Sequence, residues 1–95
     1  MKVYKKRPGV VLLHVCNEYL LVSTKDARDY CPYVTQINEP AAEYWELLED
    51  ANTIQGLCKR ASEKYGKEEK AFLLPALTFM GKLSKAGYLI AEDAQ

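Results

Sequence analysis

His14 and Cys16 come nearest to a chemical site in this 95-residue sequence. Two positions apart on a strand they would share a face, because strand side chains alternate, and imidazole with thiolate is a zinc-binding pair. A zinc centre needs more ligands, and no second pair lies near in the sequence. Cys31 and Cys58 stand alone, without C-x-x-C spacing. An odd number of scattered cysteines reads as small, partly buried thiols, with neither a disulfide framework nor a metal. As a general base, His14 would need a nucleophile or an orienting carboxylate beside it, and the sequence offers neither. It reads as a packed or surface-facing histidine. Gly9, Gly56, Gly66, Gly81 and Gly87 are too scattered to build a phosphate loop. No catalytic set, metal or cofactor is expected, and the chain reads as a binding module rather than an enzyme.

Charge narrows the partners. Thirteen basic residues cancel thirteen acidic ones, but unevenly. Residues 1–30 carry Lys2, Lys5, Lys6, Arg7, Lys25 and Arg28 against Glu18, Asp26 and Asp29. Residues 31–58 carry Glu39, Glu43, Glu46, Glu49 and Asp50 with no Lys or Arg. A nucleic-acid binder of this size draws affinity from a net basic surface, which is missing. No apolar run approaches the ~18 residues of a membrane span. The basic N-terminus is followed only by Gly9-Val10-Val11-Leu12-Leu13, too short for a signal-peptide core, so a cytoplasmic address is expected.

The elements that would position a binding surface follow from hydropathic period. Val10–Cys16 and Tyr19–Ser23 are rich in β-branched and aliphatic residues, with Asn17-Glu18 between them as a tight turn. Thr24–Asp29 reads as a loop. Tyr33–Ile37 is a third strand after Cys31-Pro32; if Ile37 points to the core, Tyr33 and Thr35 do too, leaving Val34 and Gln36 opposite.

At Asn38 the period becomes helical. Asn38 or Glu39 can cap a first helix with Pro40 in its first turn. Ala41, Tyr44, Trp45 and Leu48 form its apolar stripe, opposite a solvated face of Glu43, Glu46 and Asp50. Thr53 caps a second helix whose apolar positions are Ile54, Leu57, Cys58, Ala61 and Tyr65, stopped by Gly66. A third helix is predicted over Lys70–Ala86 and stopped by Gly87, with Pro75 marking either its start or a kink. Its apolar face joins Leu73, Leu77, Met80 and Ser84 to Phe72, Ala76, Phe79 and Leu83. Tyr88-Leu89-Ile90 packs back on the core and residues 91–95 form a fraying tail. The expected fold is α+β and winged-helix-like: three antiparallel N-terminal strands followed by three helices, as one domain with its core over about residues 7–90.

The stretch from Gln36 to Ile54 resembles the signature of the PqqD-like family of precursor-peptide recognition elements. Ile37-Asn38, Ala41-Ala42, Trp45-Glu46-Leu47-Leu48 and Thr53-Ile54 match it in order and spacing. Leu83-Ser84-Lys85-Ala86-Gly87-Tyr88-Leu89 resembles the family's closing segment, and Arg7-Pro8-Gly9-Val10 fits its opening. Asp50-Ala51-Asn52 departs from the pattern, since the family carries Gly in that turn; Asn52 can supply the left-handed conformation.

The resemblance implies a peptide chaperone of bacterial natural-product biosynthesis. Such a module binds the leader region of a ribosomally made precursor and presents it to a modifying enzyme, often a radical-SAM enzyme or a peptidase. The leader is expected to add as a strand to Tyr33, Val34, Thr35, Gln36 and Ile37. On the third helix, Leu74, Thr78, Lys82 and Lys85, with Lys70 one turn earlier, form the stripe expected to border the groove, the lysines meeting leader carboxylates. An exposed edge strand can also pair with a copy of itself, giving a homodimer. The rival reading is a winged-helix DNA-binding regulator. Its basic cluster, Lys59, Arg60, Lys64 and Lys67, is interrupted by Glu63, Glu68 and Glu69, and the acidic first helix opposes it.

Overall fold

The computed structural model describes residues 1–48 and 53–93. Glu49 and residues 50–52, where the sequence predicts a turn, lie outside the described residues, as do Ala94 and Gln95. The described chain forms strands β1 (Lys2–Lys6), β2 (Val10–Val15), β3 (Glu18–Ser23) and β4 (Val34–Ile37). Helices α1 (Glu39–Leu47), α2 (Ile54–Tyr65) and α3 (Leu73–Ala86) follow, and strand β5 (Leu89–Asp93) ends it. The class is α+β: the antiparallel sheet β2-β3-β4 precedes the three helices, as expected from the change of period.

The β2–β3 hairpin turns on Cys16 and Asn17, one residue earlier than the predicted Asn17-Glu18. Both have positive φ, 51° and 66°, the backbone of a type I′ turn, whose twist matches that of the strands it joins. Glu18 therefore belongs to β3 and pairs with Val15. Cys16 sits in the turn and is exposed, so it does not share a strand face with His14. The stretch expected as a loop holds a 3-10 helix over Lys25–Asp29, with Ala27 buried.

Local capping signals set the helix ends. Asn38 Oδ1 accepts from Ala41 N at 2.9 Å, and Thr53 Oγ1 from Gly56 N at 2.9 Å, each satisfying an orphan donor of a first turn. Gly66 and Gly87 end α2 and α3 in the left-handed conformation, φ 70° and 93°. The predicted third helix begins late. A separate 3-10 turn covers Glu69–Phe72, and α3 starts at Leu73. Pro75 then falls in the first turn, where its missing N–H has no intrahelical partner to lose. Lys70 belongs to the 3-10 turn and pairs with Glu68 at 3.4 Å.

The two terminal stretches pair with each other, so residues 91–93, expected to fray, lie in a strand. β1 and β5 form a second, two-stranded antiparallel sheet with Tyr4 opposite Ala91 and Lys6 opposite Leu89. Tyr4 and Leu89 are buried, while Lys5 and Glu92 meet at 3.4 Å on the exposed side. Lysines on both sides of Tyr4 hide the alternation of β1, and its partner is more than eighty residues away.

The core joins Leu21 to Tyr44, Trp45 and Leu48 of the first helical segment, Leu57, Cys58 and Ala61 of α2, and Tyr88 and Leu89 beyond α3. From α3 it takes Ala76, Phe79, Met80 and Leu83. Leu73 and Leu77, expected on the buried side, are exposed at 46% and 44%. The inward stripe is thus narrower than the hydrophobic residues alone suggest, and the first half of α3 turns leucines to solvent.

Burial raises the pKa of the Tyr44 and Tyr88 phenols and the Cys58 thiol. For each, folding favours the protonated form. Their contribution is complete below the ordinary values of 9.0 for the thiol and 10.0 for the phenols and is lost as pH rises beyond them. Urea midpoints measured from pH 7 upward are expected to hold steady at first and fall once pH passes about 9.

Candidate functional site

β4 forms one edge of the three-stranded sheet. Its register with β3 sets Leu21 opposite Thr35 and Tyr19 opposite Ile37, and Ser23 N donates to Tyr33 O at 2.9 Å in the same series. In an antiparallel ladder, hydrogen-bonded pairs alternate with non-bonded ones. Thr35 and Ile37 therefore direct their N–H and C=O groups at β3. Val34 and Gln36 direct theirs outward, to an edge that no described strand covers.

That edge opens onto a cleft. Two adjoining cavities of about 350 and 380 Å³ run along α3 and share Asn38, Ala41, Phe79 and Lys82. The first lies between β4 (Thr35, Gln36, Ile37) and the second half of α3 (Leu83, Ala86), with Tyr88 at its end. The second lies between the start of α1 (Pro40, Tyr44) and the first half of α3 (Leu74, Pro75, Thr78). Lys82 is the one charged side chain among their described lining residues. The arrangement suits an extended chain: backbone partners along one wall, apolar seats below, and a single cation between them.

The start of β4 is held from below by Tyr88, which is fully buried. Its hydroxyl donates to the Pro32 carbonyl at 2.9 Å and accepts from Thr35 Oγ1 at 2.5 Å. Ser23 Oγ, also buried, donates to the same Pro32 oxygen at 2.9 Å. These bonds fix the edge strand against the segment that follows α3.

Of the residues picked from sequence, Thr35, Gln36, Ile37, Leu74, Thr78 and Lys82 line the two cavities together. Tyr33 lies just before β4; its exposed ring packs under the Arg28 guanidinium, 4.4 Å from the centroid, instead of pointing to the core. Val34 is exposed on the far face of the sheet. Lys70 and Lys85 line neither cavity. Sequence reasoning missed Asn38, Ala41, Phe79 and Ala86. Phe79, Lys82 and Ala86 follow one another at helical spacing, so the signal was present, but Phe79 and Leu83 were assigned wholly to the core.

His14 is exposed and stacks on Tyr19, with ring centroids 4.1 Å apart. Glu43 accepts a hydrogen bond from the Tyr65 hydroxyl, beside a cavity of about 280 Å³ between α1 and the end of α2. Among the described residues, no group of three His, Cys, Asp or Glu side chains is placed to hold a metal ion. No described helix is long and apolar enough to cross a membrane.

No protein-family model matches the sequence, and no curated protein matches it significantly. Solved structures do share its fold. One, described as lasso peptide synthetase B1 complexed with the leader peptide, superposes with a TM-score of 0.66 at 15% identity, covering 92% of this chain and 96% of its own. A second, TbiB1 in complex with the TbiA(beta) leader peptide, gives a TM-score of 0.68 at 16% identity, covering 96% and 99%. The chain therefore has the fold of proteins that have been solved with leader peptides bound.

Proposed function

We propose that the protein is a PqqD-like recognition element: a non-catalytic peptide chaperone that binds the leader region of a ribosomally made precursor and presents it to a modifying enzyme. The observation that carries this reading is the free edge of β4, whose Val34 and Gln36 backbone groups open beside a cleft shared with α3. An extended leader adds there as a strand. Alternate side chains drop towards Ile37, Ala41 and Phe79, while the others lie beside Val34 and Gln36 on the outer face. Lys82 meets a leader carboxylate. Leu74 and Thr78 seat the part of the leader that runs beyond β4. Thr35 positions the strand through Tyr88. Tyr33 sits where the added strand leaves the sheet, and Lys70 and Lys85 act at longer range through charge alone. The same fold in two proteins solved with leader peptides supports the reading.

The test is a titration with fluorescent synthetic leaders, drawn from any short-peptide genes found beside this protein's own, without any enzyme present. Saturation is expected at micromolar protein; its absence there would remove autonomous leader binding. Gln36→Pro probes the mode. It deletes an N–H that the β3 ladder does not use, so the fold should tolerate it as edge strands tolerate proline. Losing that donor is expected to weaken leader binding by about tenfold, as one hydrogen bond of roughly 1.5 kcal/mol would. Unchanged affinity in a folded Gln36→Pro protein would place the leader elsewhere.

A further inference from the structure

The three-stranded sheet is apolar on both faces. Leu12, Leu21 and Ile37 belong to the face that packs on the helices. The other face carries Val11, Leu13 and Val15 of β2, Leu20 and Val22 of β3, and Val34 of β4, with Glu18 and Gln36 of β3 and β4 as its polar members. Four of these, Val11, Leu13, Val15 and Val34, are 42–49% exposed. An antiparallel sheet with one solvated face ordinarily turns polar side chains to water there. The band ends at β2, the opposite edge from β4, and β2 has no charged residue, proline or bulge to deter pairing.

The hydrogen-bonding groups of that edge can be accounted for. The two-residue hairpin closes on the pair Val15–Glu18, so Val11, Leu13 and Val15 bond to β3. Val10, Leu12 and His14 point the other way. Val10 N already donates to Arg7 O at 3.2 Å. The N–H groups of Leu12 and His14 remain at the open edge.

We propose that β2 pairs with β2 of a second copy, antiparallel about a two-fold axis through Leu13. Leu12 of each copy then faces His14 of the other, and all four open-edge N–H groups of the pair find carbonyls. On the outer face Leu13 meets Leu13 and Val11 meets Val15, an unbroken aliphatic row with no like charges opposed. The result is a six-stranded sheet in the order β4-β3-β2-β2-β3-β4, which leaves both β4 edges and their clefts open. Only the β2 edges and their side chains meet, a narrow contact of the kind found in weak assemblies, so the dimer is concentration-dependent rather than obligate.

Sedimentation equilibrium of the whole protein from about 5 to about 500 µM, the span where a low-area interface dissociates, is expected to show a monomer giving way to a dimer. Leu13→Lys sets two ammonium groups on the axis and should weaken the dimer at least tenfold without altering leader affinity. In a Cys16→Ser background, Leu13→Cys should oxidise to a disulfide-linked dimer, because non-bonded antiparallel neighbours lie about 4.5 Å apart. Val11→Cys should not, since the two copies of residue 11 lie four positions apart, about 13 Å. A wild-type protein that stays monomeric throughout would overturn the proposal and leave this edge to a different chain. So would a dimer in which Val11→Cys cross-links as readily as Leu13→Cys. If Leu13→Cys does not fold, the wild-type masses decide alone.

Discussion

Gly87→Ala is expected to destabilise the fold by about 3 kcal/mol or more, whereas Gly66→Ala costs about 1 kcal/mol. Both glycines end a helix with positive φ, so both substitutions carry the strain of a left-handed alanine. Only one of them also meets a wall. A Cβ on Gly66 has no atom within 4 Å, but a Cβ on Gly87 falls 2.1 Å from the Tyr30 carbonyl oxygen and 3.2 Å from Cys31 Cβ. That carbonyl is backbone and cannot swing aside. Tyr30 N and Cys31 N both donate to Ala27 O, and Ala27 is buried. On the other side, the Gly87 carbonyl accepts from Arg7 Nε at 2.6 Å and ties α3 to the segment between β1 and β2. Making room therefore disturbs three segments at once. Urea unfolding of the two variants measures the difference. Equal losses would mean that the close approach of Gly87 to Tyr30 does not govern stability.

The second large effect is on binding. Ala41→Phe is expected to weaken leader binding by more than about a hundredfold, equivalent to roughly 2.7 kcal/mol, while leaving unfolding nearly unchanged. Ala41 lines both cavities along α3, is only half-buried, and sits on the first turn of α1 between β4 and Phe79. A phenyl group there fills the junction where the two cavities meet and removes the seat beneath an added strand. The first turn keeps its cap, because Asn38 bonds the Ala41 backbone N–H rather than the side chain. Thermal unfolding alongside the leader titration separates the outcomes. Wild-type affinity in a folded Ala41→Phe protein would move the peptide out of this cleft, while loss of affinity together with loss of fold would place Ala41 in the core.

The sequence by itself determined what depends on near neighbours in the chain. Runs of β-branched and aliphatic residues bounded by turn signals marked β2, β3 and β4; helical spacing marked the three helices. Asn38, Thr53, Gly66 and Gly87 announced helix ends because capping is a bond or a dihedral within one turn. Part of the cleft was legible for the same reason, since Leu74, Thr78 and Lys82 share a helical face by spacing alone. Tertiary structure decided what depends on distant partners. Lys2–Lys6 becomes a strand only because Leu89–Asp93 is brought alongside it. Leu73 and Leu77 are exposed because Ala76, Phe79, Met80 and Leu83 already fill the inward face of α3. The cleft exists because Tyr88 holds Pro32 and Thr35 from 53 to 56 positions away, setting β4 beside α3. Period and capping are written residue by residue, but an edge and the wall that faces it come from separate parts of the chain, and burial brings them together.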